Sequence, residues 1–157
     1  MVSPIPEGHE GFVPHLIVND AASAIEFYKK AFDATECWRS PAPDGKKLMH
    51  AEVMIGGRPV YLCDDFPEFC GGTERAAKSL PATPVTLHRY VENCDAAIQK
   101  AVDAGANLTM PATDMFWGDR YGKVTDPFGH EWSFATHTKD MTPEEVEAAA
   151  KAAFSQG

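Results

Sequence analysis

The sequence predicts an α+β chain of two βαβββ modules, and three observations carry that prediction. A β-rich run followed by an amphipathic helical stretch occurs twice, and a constant offset of 73 residues (88 − 15) superposes the two occurrences. Each half then has room for two middle strands and a last strand opened by a glycine turn.

In the first half, Phe12-Val13-Pro14-His15-Leu16-Ile17-Val18 is the β-rich run, and Asn19-Asp20 is a helix-start signal. Ala21, Ala24, Ile25, Tyr28, Ala31 and Phe32 then recur at three-to-four-residue spacing, which makes a helix. Thr35 to Arg39 and Lys47 to Ile55 read as strands around the turn Pro43-Asp44-Gly45, and Arg58 to Asp64 follows Gly56-Gly57. The second half repeats this grammar with a strand from Val85 to Val91, the signal Glu92-Asn93, and a helix from Cys94 to Ala104 ended by Gly105. Asn107 to Met110 and Arg120 to Thr125 are its middle strands, and Glu131 to His137 is its last. The offset pairs His15 with His88, Val18 with Val91, Ala24 with Ala97, Ile25 with Ile98 and Ala31 with Ala104, and without adjustment Gly56 with Gly129. So long a period exceeds the repeat units of solenoids and indicates a duplicated half-domain.

The chain then divides into a flexible leader (1–11), a first module (12–64), a connecting arm (65–84), a second module (85–137) and a helical tail (138–157). The arm is punctuated by Gly and Pro, as lids, arms and linkers are. In the tail, Thr142-Pro143-Glu144-Glu145 forms a capping box that opens a docking helix running to about Phe154.

Composition excludes several classes of function. A net charge of −9 opposes general affinity for nucleic acid or anionic lipid. No apolar stretch approaches the roughly 20 residues of a membrane helix, and the N-terminus lacks a secretory signal, so a cytoplasmic address is expected. Cys37, Cys63, Cys70 and Cys94 show no C-x-x-C spacing and read as reduced thiols. Phosphate-binding glycine loops and a G-x-S-x-G nucleophile elbow are absent.

With Ala24-Ile25-Glu26-Phe27-Tyr28 in the first helix and Asp126-Pro127-Phe128-Gly129-His130 before the last strand, the duplicated unit resembles the glyoxalase, bleomycin-resistance and dioxygenase superfamily, the vicinal oxygen chelate proteins. His50-Ala51-Glu52, Val85-Thr86-Leu87-His88, Phe116 to Gly122 and Asp126 to Trp132 are similar to the PhnB-like branch, over roughly residues 12 to 140. The resemblance implies a curved mixed sheet around a central cavity, and a homodimer. In the metal-dependent members, ligands come from the first and last strands of each half. The matching positions here are Val13, Val60, Thr86 and Ser133, two aliphatic residues and two neutral hydroxyls, so the usual metal site is expected to be absent.

Strand alternation keeps residues i and i+2 on one face, which aligns His15 with Val13 and His88 with Thr86 and Tyr90. His50 and Glu52 share a face of the third strand. The expected pocket is lined by His15, His50, Glu52, His88, Tyr90, Trp117 and Arg120. Trp117 would supply a stacking face and Arg120 a charged rim; the alternative is that both pin a hairpin or a dimer contact. His15 and His88 could instead hold zinc, nickel or iron at a displaced site, or act as general acid and base, or line the cavity as neutral hydrogen-bonded rings. Asp64-Asp65 reads as a solvated loop entrance, and His9 and His137 as solvent-facing or capping residues.

The leading expectation is a small-molecule binding protein without the superfamily's usual metal. A glyoxalase-type metal-dependent lyase or isomerase using displaced histidines, another dioxygenase-superfamily enzyme, and an antibiotic-sequestering resistance protein are the alternatives.

Overall fold

The computed structural model describes residues 3–155. Strand β1 (His15–Val18), helix α1 (Ala21–Phe32) and strands β2 (Thr35–Pro41), β3 (Leu48–Ile55) and β4 (Arg58–Asp64) form the first module. Strand β5 (Thr86–Tyr90), helix α2 (Cys94–Ala104) and strands β6 (Asn107–Asp114), β7 (Asp119–Thr125) and β8 (Glu131–His137) form the second, and α3 (Pro143–Phe154) follows. Between the modules, the arm carries two short 3₁₀ turns, Pro67–Phe69 and Ala77–Ser79. The two sheets have equivalent strand orders, β1-β4-β3-β2 and β5-β8-β7-β6. Each first strand pairs in parallel with the last, and the remaining pairs are antiparallel.

Capping sets the helix ends. The Asp20 and Asn93 side chains accept from the backbone N–H of Ser23 and Ala96, satisfying donors that the first turn leaves orphaned. Both helices end on a left-handed residue, Asp33 after α1 and Gly105 after α2. The tail helix carries the expected capping box, with Thr142 and Glu145 bonded reciprocally.

Each helix covers one face of its sheet and leaves the other free. Leu16, Val18, Ala51, Val53 and Leu62 of the first sheet are buried beneath α1, and Val124, Trp132 and Phe134 of the second join the same core. The core runs across the module boundary. The Phe32 ring lies 4.5 Å from Trp132 and 5.6 Å from Phe134, and the Tyr28 ring stacks on Phe32. Burial of each such aromatic contributes on the order of 2 kcal/mol, so this cluster joins the halves.

Two sequence expectations require correction. The offset of 73 holds only through the helices. α1 has 12 residues and α2 has 11, so the first and second modules fall out of step at the helix C-caps. In the strand register His15 lies opposite Tyr61 and His88 opposite Ser133, which makes Tyr61, not Val60, the mate of Ser133. Val60 is buried on the helix-covered face. The acidic pair at the end of β4 is also not a solvated entrance. Asp64 is buried, and its carboxylate accepts from the backbone N–H of Ala21 at 3.0 Å and of Leu48 at 2.7 Å. Asp65 accepts from the N–H groups of Arg75 and Ala76, which ties the arm to the end of the sheet.

β2 and β6 run longer than expected, because they are edge strands that extend past register irregularities to tolerate Pro41 and Pro111. Among the described residues, no helix is long and apolar enough to cross a membrane.

Candidate functional site

A cavity of about 620 Å³ lies where the modules meet. The β3–β4 turn and the start of β4 supply Ile55, Gly56, Arg58, Pro59 and Val60. Strand β5, the free edge of the second sheet, supplies Leu87, His88, Arg89 and Tyr90. Trp132 and the leader residues Gly8, Glu10, Phe12, Val13 and Pro14 complete the lining. Volumes of ~300–1,000 Å³ with mainly apolar walls and a few placed polar groups are typical of small-molecule sites.

Two clusters on the helix-free faces flank this region. On the first sheet, His15, His50 and Tyr61 form a mutual edge-on group with ring centroids 4.7–6.0 Å apart, and Trp38 lies 5.1 Å from His50. The leader docks here, since His9 Nε2 lies 3.2 Å from Glu52 Oε1. Desolvation lowers the His15 pKa, and the nearby His50 and Arg75 charges lower it further, which favours the neutral imidazole. The Cys37 thiol is pushed up by burial and then by Glu52, and burial likewise raises Cys63 and Cys94. These cysteines are thiols and not activated nucleophiles.

On the second sheet, the buried Asp119 is a hub. Its carboxylate accepts from Tyr90 Oη at 2.8 Å and Trp117 Nε1 at 3.1 Å, and His137 Nδ1 lies 2.9 Å away. Burial would raise the Asp119 pKa, but hydrogen bonds from His137, Tyr90 and Trp117 outweigh it and hold the pKa below the ordinary value. His137 also meets Asp140 at 2.9 Å, and Asp140 followed by Asp119 raises its pKa. Next to this hub, His88 Nδ1 is 2.8 Å from Ser133 Oγ, with the Tyr90 ring edge-on at 4.9 Å and the Tyr121 ring stacked at 6.0 Å.

The expected pocket residues therefore divide. His88 and Tyr90 reach the cavity, while His15, His50 and Glu52 gather on the first sheet. Among the described residues, no hydrogen bond or ring contact joins His15 to His88. Trp117 belongs to the Asp119 hub through its indole N–H. Arg120 is not a cavity rim. It projects from the opposite face of β7, where its guanidinium pairs with Asp95 at the start of α2 and with Asp114 on β6. The residue preceding it, Asp119, faces the other way, as strand alternation requires.

Sequence reasoning missed Tyr61, Trp38, Asp119, Arg58 and Arg89. Tyr61 was hidden by the one-residue slip, Trp38, Arg58 and Arg89 by lying beyond the quoted motifs, and Asp119, inside the Phe116 to Gly122 motif, because spacing does not show what its carboxylate meets. His9 and His137 were read as peripheral, yet each pairs with a carboxylate.

The positions that carry metal in the metal-dependent vicinal oxygen chelate proteins do not suit a divalent cation here. With the register corrected they are Val13, Tyr61, Thr86 and Ser133. Thr86 is bonded to Glu131 and Ser133 to His88, so both hydroxyls already have partners. Among the described residues, no three His, Cys, Asp or Glu side chains converge in a metal-binding group.

The chain is 52% identical over 136 residues to an uncharacterised protein, Rv0887c, of Mycobacterium tuberculosis, covering 87% of this chain and 79% of that protein. It is 35% identical over 133 residues to an uncharacterised protein, At5g48480, of Arabidopsis thaliana, covering 79% and 76%. The crystal structure of the Arabidopsis product superposes with a TM-score of 0.64, over 80% of this chain and 97% of that one. TioX from a Micromonospora species superposes with a TM-score of 0.60 at 25% identity, over 85% and 100%. Residues 12–134 match the family described as the glyoxalase/bleomycin resistance protein/dioxygenase superfamily. Two βαβββ modules with equivalent strand order, matched over nearly their whole length, show that this chain belongs to that superfamily.

Proposed function

We propose that this chain is a PhnB-like member of the superfamily that binds a small molecule at the junction of its modules, as a cytoplasmic homodimer, without the superfamily's usual metal. The observation that carries this reading is the cavity of about 620 Å³, walled by Ile55, Val60, Leu87 and Trp132 and reached by His88 and Tyr90. Its size suits a drug-sized ligand, and it combines apolar side chains with polar groups that can fix a ligand's orientation.

The test is a fluorescence titration with two dyes of one shape, neutral N-phenyl-1-naphthylamine and its sulfonated analogue 8-anilinonaphthalene-1-sulfonate. At least one is expected to bind saturably, once per chain. Val13→Trp, which places an indole in the cavity mouth, is expected to abolish that binding. No saturable binding of either dye, or binding that survives Val13→Trp, refutes the reading.

A further inference from the structure

We infer that the ligand of this cavity is an amphipathic organic anion, its oxyanion held by Arg58 and Arg89 and its apolar body laid against Leu87 and Trp132. The inference rests on the cavity reading above and adds the charge of the ligand.

The argument begins with the placement of the two guanidinium groups. Arg89 stands on the edge strand β5, and its guanidinium crosses to the β3–β4 turn of the other module. A Cβ at Gly56 would come within 2.9 Å of Arg89 Nε. The glycine, with a φ of +58°, lets the guanidinium lie against the turn. The hydrogen bond recorded for this side chain runs from Nη1 to Phe32 O at 3.3 Å, which uses one of five N–H donors. Arg58 lines the same cavity from the start of β4.

Neither arginine has a carboxylate within 4.0 Å among the described residues. Arg39 and Arg120, by contrast, both sit on acidic partners. A half-buried guanidinium with one neutral acceptor is poorly compensated for its lost hydration. Its planar fork matches a carboxylate, sulfonate or phosphate, and charge-assisted bonds of this kind are about twice as strong as neutral ones. His88 adds a third polar group whose Nε2 is not used in the contact with Ser133. Glu10 is the acidic residue that lines the cavity, and it is exposed on the leader.

The lining also includes an apolar set, Ile55, Val60, Leu87 and Trp132. Cationic and apolar groups lining one cavity complement a molecule with an oxyanion at one end and a hydrocarbon or aromatic body at the other.

The same two dyes test the charge, because they differ by one sulfonate. Wild-type protein is expected to bind the sulfonate at least about tenfold more tightly than the neutral dye at low salt, a difference of ~1.4 kcal/mol. Arg89→Met and Arg58→Met are each expected to weaken the sulfonate several-fold and leave the neutral dye within about twofold, and Glu10→Gln to tighten the sulfonate. Circular dichroism establishes that each variant is folded; Arg58 is exposed, so its variant decides the matter if Arg89→Met does not fold. Equal affinities for the two dyes, both abolished by Val13→Trp, overturn the anion inference and leave the cavity reading intact. Sulfonate binding unchanged in both arginine variants overturns it as well. Binding of neither dye, or binding indifferent to Val13→Trp, removes the cavity reading and this inference together.

Discussion

Asp126 opens the turn before β8, and replacing it with alanine tests whether this one carboxylate fastens the two modules. Its side chain is 3% exposed and accepts four hydrogen bonds. Oδ2 takes the Tyr28 hydroxyl and the Trp132 indole N–H, each at 2.9 Å. Oδ1 takes the backbone N–H groups of Phe128 at 2.9 Å and His130 at 3.0 Å, which shape the turn itself. Tyr28 belongs to α1 of the first module and is fully buried, so its hydroxyl would be left without a partner. Bonds to a charged acceptor are worth ~1.5–3 kcal/mol each, but four that share one carboxylate do not add. Water can reach the turn N–H groups once the side chain is gone, whereas Tyr28 stays dry. The expected loss is about 4 kcal/mol, or a fall in Tm of ~8–16 °C for a chain of this size. Urea denaturation at constant m-value measures the first quantity and scanning calorimetry the second. Combining the substitution with Tyr28→Phe should give a coupling of about 1–2 kcal/mol. A loss below about 1 kcal/mol, or additive effects of the two substitutions, would show that the turn carboxylate does not fasten the modules.

His137 sits between Asp140 and Asp119, which raise its pKa above 6.5. Its contribution to stability is therefore complete below the unfolded value and fades as pH rises through the folded one. Proton NMR should show the raised titration midpoint moving back toward 6.5 in Asp140→Asn and in Asp119→Asn; an unmoved midpoint in both refutes the assignment. Gly129 has a φ of +91°, and a Cβ there would come within 2.5 Å of Lys78 N and 2.7 Å of Ala77 C. Gly129→Ala should cost about 2–3 kcal/mol and loosen the arm, seen as faster amide exchange over residues 76–80, and wild-type exchange in the variant would contradict this.

The repeat was legible because duplication preserves residue identity where packing is shared. Ala24, Ile25 and His15 recur with their mates, and the capping signals at Asp20, Asn93 and Thr142 all cap helices in the structure. Alternation also placed Trp132 beneath the helices and His88 with Tyr90 on the free face. Register was less legible. After the helices the last strand's register moved by one residue, and in a strand one step exchanges faces, so Val60 stood where Tyr61 belongs.

From its sequence alone, the chain's modules, helix ends, buried faces and superfamily signature follow, because each depends on local periodicity and on short capping or turn patterns. The tertiary structure decided which free-face residues meet. It separated His15 from His88, turned Arg120 to the helix side, drew Tyr90, Trp117 and His137 onto Asp119, and set Arg58 and Arg89 from different modules around one cavity. Those relations depend on how two sheets pack across a shared aromatic core, and side-chain spacing along one strand carries no record of the distance to another.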